Sequence, residues 1–212
     1  MASDFHAHKP KSTARTLVSC PESEISRYSF ASLELHPWDL PEKFHALSPQ
    51  FDLALTRAAA LGEVGLDKLR GPALSVQQAY LNVLLSLAQE QNKPVVIHCV
   101  KAAGELLATL RNIPKLTIMI HGFRGCPEQL EMWRKHGFFV SLSPRALQNN
   151  ALIKHLRSTD LERIGFESDD TPEPIESILE QAAKLLDMPY ASLEKFTDAT
   201  FDAFFQKTAK DV

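Results

Sequence analysis

Short apolar runs that stop at a histidine or an acid recur along this chain, and they restrict its fold more than any other feature. Pro94-Val95-Val96-Ile97-His98 is the plainest case. An unbroken apolar run of that length, with helical patterns before and after it, is what a strand buried on both faces of a parallel sheet looks like. Leu116 to His121 repeats the design, Ala58 to Glu63 ends on a carboxylate, and Arg163 to Phe166 leads into Glu167-Ser168-Asp169-Asp170. The chain also begins this way, with Asp4-Phe5-His6-Ala7-His8. Residues i and i+2 of a strand share a face about 7 Å apart, so His6 and His8 can converge on one ion.

Taken in order, the remaining strands are expected at Arg15 to Cys20, Phe30 to Leu35 and Phe138 to Ser141. Lys9 to Ala14 is too short for a helical crossover, which takes about a dozen residues. At about 3.3 Å per residue it still spans about 20 Å as an extended pass. Pro21 to Ser29 is also too short for a full helix. Helices are expected over Pro41 to Leu47 and Phe51 to Arg57. A longer one is expected from an N-cap at Ser75 to Gln91, with Val76, Tyr80, Val83, Leu84 and Leu87 at helical spacing. Further helices are expected at Ala102 to Arg111, from Pro127 to a Gly137 C-cap, and over Asn149 to Arg157, Pro174 to Asp187 and Tyr190 to Gln206. Strand and helix alternate, so the expected fold class is α/β, a distorted (β/α)8 barrel lacking its first two crossover helices. A doubly wound sheet is the alternative. Residues 1–212 are expected to form one domain.

In a barrel the C-terminal ends of all strands face one mouth, and that is where the polar residues fall. His6, His8, Glu63, His98, His121 and Asp169 together offer imidazoles and carboxylates, the donors that one or two divalent ions such as Zn, Mn or Mg accept. Two such ions generate a hydroxide near neutral pH and stabilise attacking and leaving oxygens. Each residue alone has an ordinary explanation: His98 or His121 as a core histidine, Glu63 paired with Lys68, Asp169 as a helix cap. Coincidence at five strand ends does not explain them together. Composition is that of a globular chain, at 44% hydrophobic and 23% charged residues, and the net charge of -3 argues against a chain that coats nucleic acid nonspecifically. Three cysteines without CxxC spacing suggest reduced thiols and a cytoplasmic protein, with no signal peptide or membrane span.

These motifs also carry a resemblance. DFHAH, His36-Pro37, GEVGLD at 62–67, PVVIH at 94–98, IHGF at 120–123 and ESDD at 167–170 resemble, in order, the TatD family of metal-dependent deoxyribonucleases and hydrolases. The resemblance implies a TIM barrel with His6, His8, Glu63 and Asp169 on one metal and Glu63, His98 and His121 on the other. Glu63 would bridge, Asp169 would orient or deprotonate the attacking water, and the reaction would be hydrolysis of a phosphodiester, typically in DNA, by a metal-bound hydroxide. Two departures touch the substrate rather than the ligands: Val100-Lys101 stand where the family often has Arg-Asp, and the loop after Asp169 is short. A small phosphoester therefore stands beside DNA as a substrate. Other readings are hydrolysis of another ester, amide or lactone, or a noncatalytic binding protein.

Phosphate binding calls for cations near the mouth. Lys9, Lys68, Arg70, Lys101, Arg124 and Arg145 each follow a strand end, and Arg124 and Lys101 are the expected phosphate contacts, with His36 beside the substrate. A homodimer is expected because a barrel without two outer helices should leave Leu17 or Val18 uncovered.

Overall fold

The computed structural model describes residues 1–111, 113 and 116–206. Among them, eight strands lie in one sheet in chain order: β1 (Ser3–Ala7), β2 (Arg15–Cys20), β3 (Ala31–Leu33), β4 (Ala60–Asp67), β5 (Val95–Val100), β6 (Ile118–Phe123), β7 (Phe139–Leu142) and β8 (Ile164–Phe166). Seven α-helices follow from the third strand on: α1 (Pro49–Arg57), α2 (Leu74–Glu90), α3 (Ala103–Leu110), α4 (Pro127–Lys135), α5 (Asn150–Ser158), α6 (Ile175–Leu186) and α7 (Tyr190–Phe205). No helix separates β1 from β2, and a single 3-10 helix, Glu22–Arg27, separates β2 from β3. Packing divides the chain into two compact units, residues 1–17 with 122–212, and residues 18–121.

In the first unit β8 returns beside β1. Ala7 bridges to Asp169 in parallel, and the Asp169 amide donates to the His6 carbonyl at 2.9 Å. The last helix, α7, covers β1: the Phe5 and Phe201 rings meet edge to face at 5.3 Å. Arg15 of β2 reaches the same helix, donating to Asp202 at 2.6 Å and lying 3.5 Å from Asp198. A helix from the far end of the sequence thus does the work of the missing crossover. Leu17 is fully buried.

In the second unit β4 pairs in parallel with β3 and β5, and the 3-10 helix packs on β3, burying Ile25. Val18 is buried here. The uncovered patch from which a homodimer was expected is therefore absent at both residues. Gly65 stands opposite His98 in the β4–β5 register, and a Cβ on it would lie 2.0 Å from the His98 carbonyl oxygen. Only glycine allows that approach.

Several expected boundaries move. Pro41 to Leu47 forms no helix; the helix starts after Ser48, whose hydroxyl accepts from the Phe51 amide at 3.1 Å, with Pro49 in the first turn. Ser75 is not a cap, because α2 begins at Leu74 after Ala73, which makes no side-chain cap bond. The buried face of α2 is Gln77, Tyr80, Leu81, Leu84, Leu85 and Ala88, so the stripe is turned from the expected one and Val83 is exposed. β4 runs four residues past Glu63, and β5 runs two past His98. Glu63 and His98 are thus inside strands rather than at their ends.

Candidate metal centre

The sequence-predicted ligands form two groups, one in each unit. In the first, His6 comes from β1, His8 follows it by two residues, and Asp169 lies three residues past β8. Each histidine places Nε2 3.8 Å from Asp169 Oδ1, and the two rings are 5.2 Å apart. One donor atom from each lies within 4.8 Å of the others. His6 is buried, while the side chains of His8 and Asp169 are 43% and 28% exposed.

What holds this group is a hydrogen-bond network. Asp4 accepts from the Ser168 amide at 2.9 Å and the Ser168 hydroxyl at 2.6 Å, which fixes β1 to the end of β8. Burial pushes the Asp4 carboxyl up to about 6 against the lowering effect of those bonds. Lys11 donates Nζ to the Asp169 carbonyl at 2.5 Å and to Ser168 Oγ at 3.2 Å. Asp169 itself has φ 49°, a left-handed conformation that turns its side chain out of the strand's alternation. Glu167, fully buried, accepts from the Gly122 amide at 2.7 Å and from the Ser141 hydroxyl.

The second group centres on one oxygen. Glu63 Oε1 lies 2.9 Å from His36 Nε2, 2.6 Å from His98 Nδ1 and 2.7 Å from His121 Nε2. All four side chains are at least 88% buried, since the most exposed of them, His98, shows 12%. His98 turns its other nitrogen to Asp67 Oδ2 at 3.2 Å. The ladder explains this bridge: Glu63, Gly65 and Asp67 share a face of β4, and His98 is registered against Gly65 between the two carboxylates. Burial works against the Asp67 carboxylate, yet bonds from Trp38, the Leu69 amide and His98 outweigh it and hold its pKa below the usual value. His36, Glu63 and His98 also fall within metal-ligating reach of one another.

Sequence reasoning placed His36 beyond the ligands, and the structure moves it onto Glu63. It missed Asp67, Asp4, Lys11 and Trp38. Asp67 was legible in principle, since it follows Glu63 by four residues on one strand face; ending the strand at Glu63 hid it. Lys68 pairs with Glu105 at 2.5 Å, so the alternative of a Glu63–Lys68 ion pair falls away. Arg124 and Lys101 are exposed just past β6 and β5. Imidazoles and carboxylates in threes, within reach of one ion, are the donor set that borderline divalent metals take.

A profile of the TatD related DNase family matches residues 7–206. The chain belongs to this family. It is 25% identical over 162 residues to an uncharacterized metal-dependent hydrolase of Methanocaldococcus jannaschii, a match covering 71% of this chain and 61% of that protein. It is 37% identical over 87 residues to a 3'-5' ssDNA/RNA exonuclease TatD of Erwinia tasmaniensis, covering 40% of this chain and 34% of the relative. The matches thus span less than two thirds of the length of either relative. The crystal structure of a TatD homologue from Escherichia coli K12 superposes with a TM-score of 0.75 at 20% identity, covering 96% of this chain and 97% of that one. The fold class is therefore the α/β barrel of eight parallel strands expected from the sequence. Among the described residues no helix is long and apolar enough to cross a membrane.

Proposed function

We propose that this TatD-family chain is a divalent-metal-dependent hydrolase that cleaves phosphodiester bonds, with single-stranded DNA as its leading substrate and small phosphoesters next. The observation that carries the reading is the convergence of three imidazoles on Glu63 Oε1, and a triplet of His6, His8 and Asp169 offers a second set of donors. The names of the relatives supply the nucleic-acid substrate. In this reading His6, His8 and Asp169 hold one ion, and Glu63, His98 and His121 hold another, of Zn, Mn or Mg. Ions so held would supply Lewis acidity and a water that ionises near neutral pH.

The chain's own residues do the rest. Asp169, the most exposed carboxylate of the two groups, accepts the proton of the attacking water and becomes neutral, and its place 3.8 Å from both His6 and His8 keeps that oxygen aimed at the group. Glu63 fixes His98 and His121 by their ring nitrogens, while Asp67 orients His98 from its other side. Arg124 and Lys101 are the proposed contacts to the flanking phosphates. The three free thiols, Cys20, Cys99 and Cys126, support a reducing, cytoplasmic location.

The test is hydrolysis of end-labelled single-stranded DNA with Mg, Mn or Zn, wild type against Asp169→Asn. Cleavage that the substitution abolishes is expected. A wild type that binds metal yet cleaves no phosphodiester would sink the nuclease reading and turn attention to acyl substrates.

A further inference from the structure

Trp38 is an anomaly in its surroundings. The chain's other tryptophan, Trp133, is 3% exposed, whereas Trp38 is 40% exposed. Exposure of so large a ring is ordinarily accompanied by freedom, yet Trp38 is held on several sides. Its indole Nε1 donates to Asp67 Oδ2 at 2.7 Å, and its amide donates to His36 Nδ1 at 3.2 Å. The Arg70 guanidinium lies over the ring, 3.9 Å from its centroid. The Trp38 ring meets those of His36 and His98 at 4.5 and 5.6 Å, edge to face.

The partners are fixed in turn. Buried Gln77 accepts from the Asp67 amide at 2.7 Å and donates to the carbonyls of Asp67, Arg70 and Pro72 at 2.9, 3.1 and 2.8 Å. Its carboxamide therefore freezes the loop that carries Arg70. Gly71 brings that loop against the Trp38 segment so closely that a Cβ would sit 2.4 Å from the Pro37 carbonyl oxygen. Asp67 and Arg70, which hold the indole by edge and face, also line a cleft of about 290 Å³ bounded by Asp67 to Leu74. The neighbouring cation is already committed, since Lys68 turns to Glu105.

A well-held, exposed indole with a guanidinium over it, adjoining His36 and His98, is a surface that suits a flat heteroaromatic ring. We infer that Trp38 and Arg70 form a ledge on which one unpaired base of a nucleic-acid substrate stacks, placing the adjoining phosphodiester at the Glu63 group. Bases stack on aromatic and guanidinium planes whatever their sequence, and only unpaired bases offer a face. The ledge would thus select single strands over duplex without reading sequence. Trp38 and Arg70 are then specificity residues, and the inference rests on the phosphodiesterase reading above.

The experiment follows tryptophan emission by stopped flow, before turnover, as metal-loaded protein meets oligothymidylate or an equally long abasic deoxyribose-phosphate oligomer at fixed salt. Oligothymidylate is expected to quench the emission and to bind about tenfold tighter than the abasic oligomer, whose charge is the same. Trp38→Ala should raise KM for single-stranded DNA about tenfold with a smaller change in kcat, and Trp38→Phe, which keeps a ring, should restore most of the KM. Metal content measured alongside separates loss of stacking from damage to the metal centre. Should Trp38→Ala fail to fold, Arg70→Ala and the abasic comparison on wild type decide alone. Equal affinity for both oligomers, with DNA still cleaved, overturns the ledge and leaves the hydrolase intact. A metal-loaded wild type that neither binds nor cleaves either oligomer removes both.

Discussion

The two donor groups use the same residue types and are built in opposite ways. Around Glu63 the donors are buried, and the β4–β5 ladder dictates their approach: His98 has to sit between Glu63 and Asp67 because its backbone is registered against Gly65. The triplet of His6, His8 and Asp169 joins the first strand to a residue beyond the eighth, stands more open at 3.8 Å, and meets solvent at His8 and Asp169. A single backbone bridge, Ala7 to Asp169, holds it together with the side chains of Asp4, Ser168 and Lys11. A ladder-built site is stiff and tolerates no change of register, while a site held by a few hydrogen bonds can exchange water and protons and can be loosened in steps. In the proposed reading, this contrast corresponds to binding and orientation at the first group and proton transfer at the second.

The largest effect is expected at the stiff group. Glu63→Gln keeps the shape but takes away the charge facing three imidazoles, and should cut turnover by about 10³-fold or more while emptying the centre of metal. Metal analysis of purified protein reads this directly. Asp169→Asn should lower kcat by a similar order, about 10²- to 10³-fold, yet leave the Glu63 group loaded. If both variants lose metal to the same extent, the division of labour is wrong.

Smaller changes sharpen the comparison. Lys11→Ala removes the tie to the Asp169 carbonyl without touching a donor atom, and should reduce kcat about tenfold with metal content kept. An unchanged kcat would show that Asp169 is placed by its backbone pairing with β1 without help from Lys11. Arg124→Ala should raise KM for DNA a few-fold, about 1 kcal/mol or less because the side chain is exposed, and leave kcat in place. A KM that does not move removes Arg124 from the phosphate path.

Which parts were legible in the sequence follows from the same contrast. His98, His121 and Asp169 stood out as candidates because an apolar run that stops at an imidazole or a carboxylate is a local pattern. Asp67 did not, since the end of β4 is set by its pairing with β5 as far as Val100, and a partner strand some thirty residues on leaves no trace in the run itself. His36 read as a substrate neighbour rather than a partner of Glu63 for a like reason: its contact with Glu63 depends on how the segment after β3 folds back, which spacing does not encode. The exposed patch at Leu17 and Val18 failed as an expectation because a missing crossover helix says nothing about which distant element fills its place. On β1 that element is α7, about 190 residues away.

By itself, then, the sequence determined the alternation of strands and helices, the two absent crossovers, the family and the candidate donor types, all of which reside in local periodicity and short motifs. Tertiary structure alone decided which nitrogen faces which oxygen, that His36 and Asp67 join the Glu63 group, that Lys11 steadies Asp169, and that Trp38 stands exposed under a guanidinium. Those outcomes depend on strand register and on contacts between residues far apart in the chain, and physical distance between side chains is the one quantity that a linear pattern does not carry.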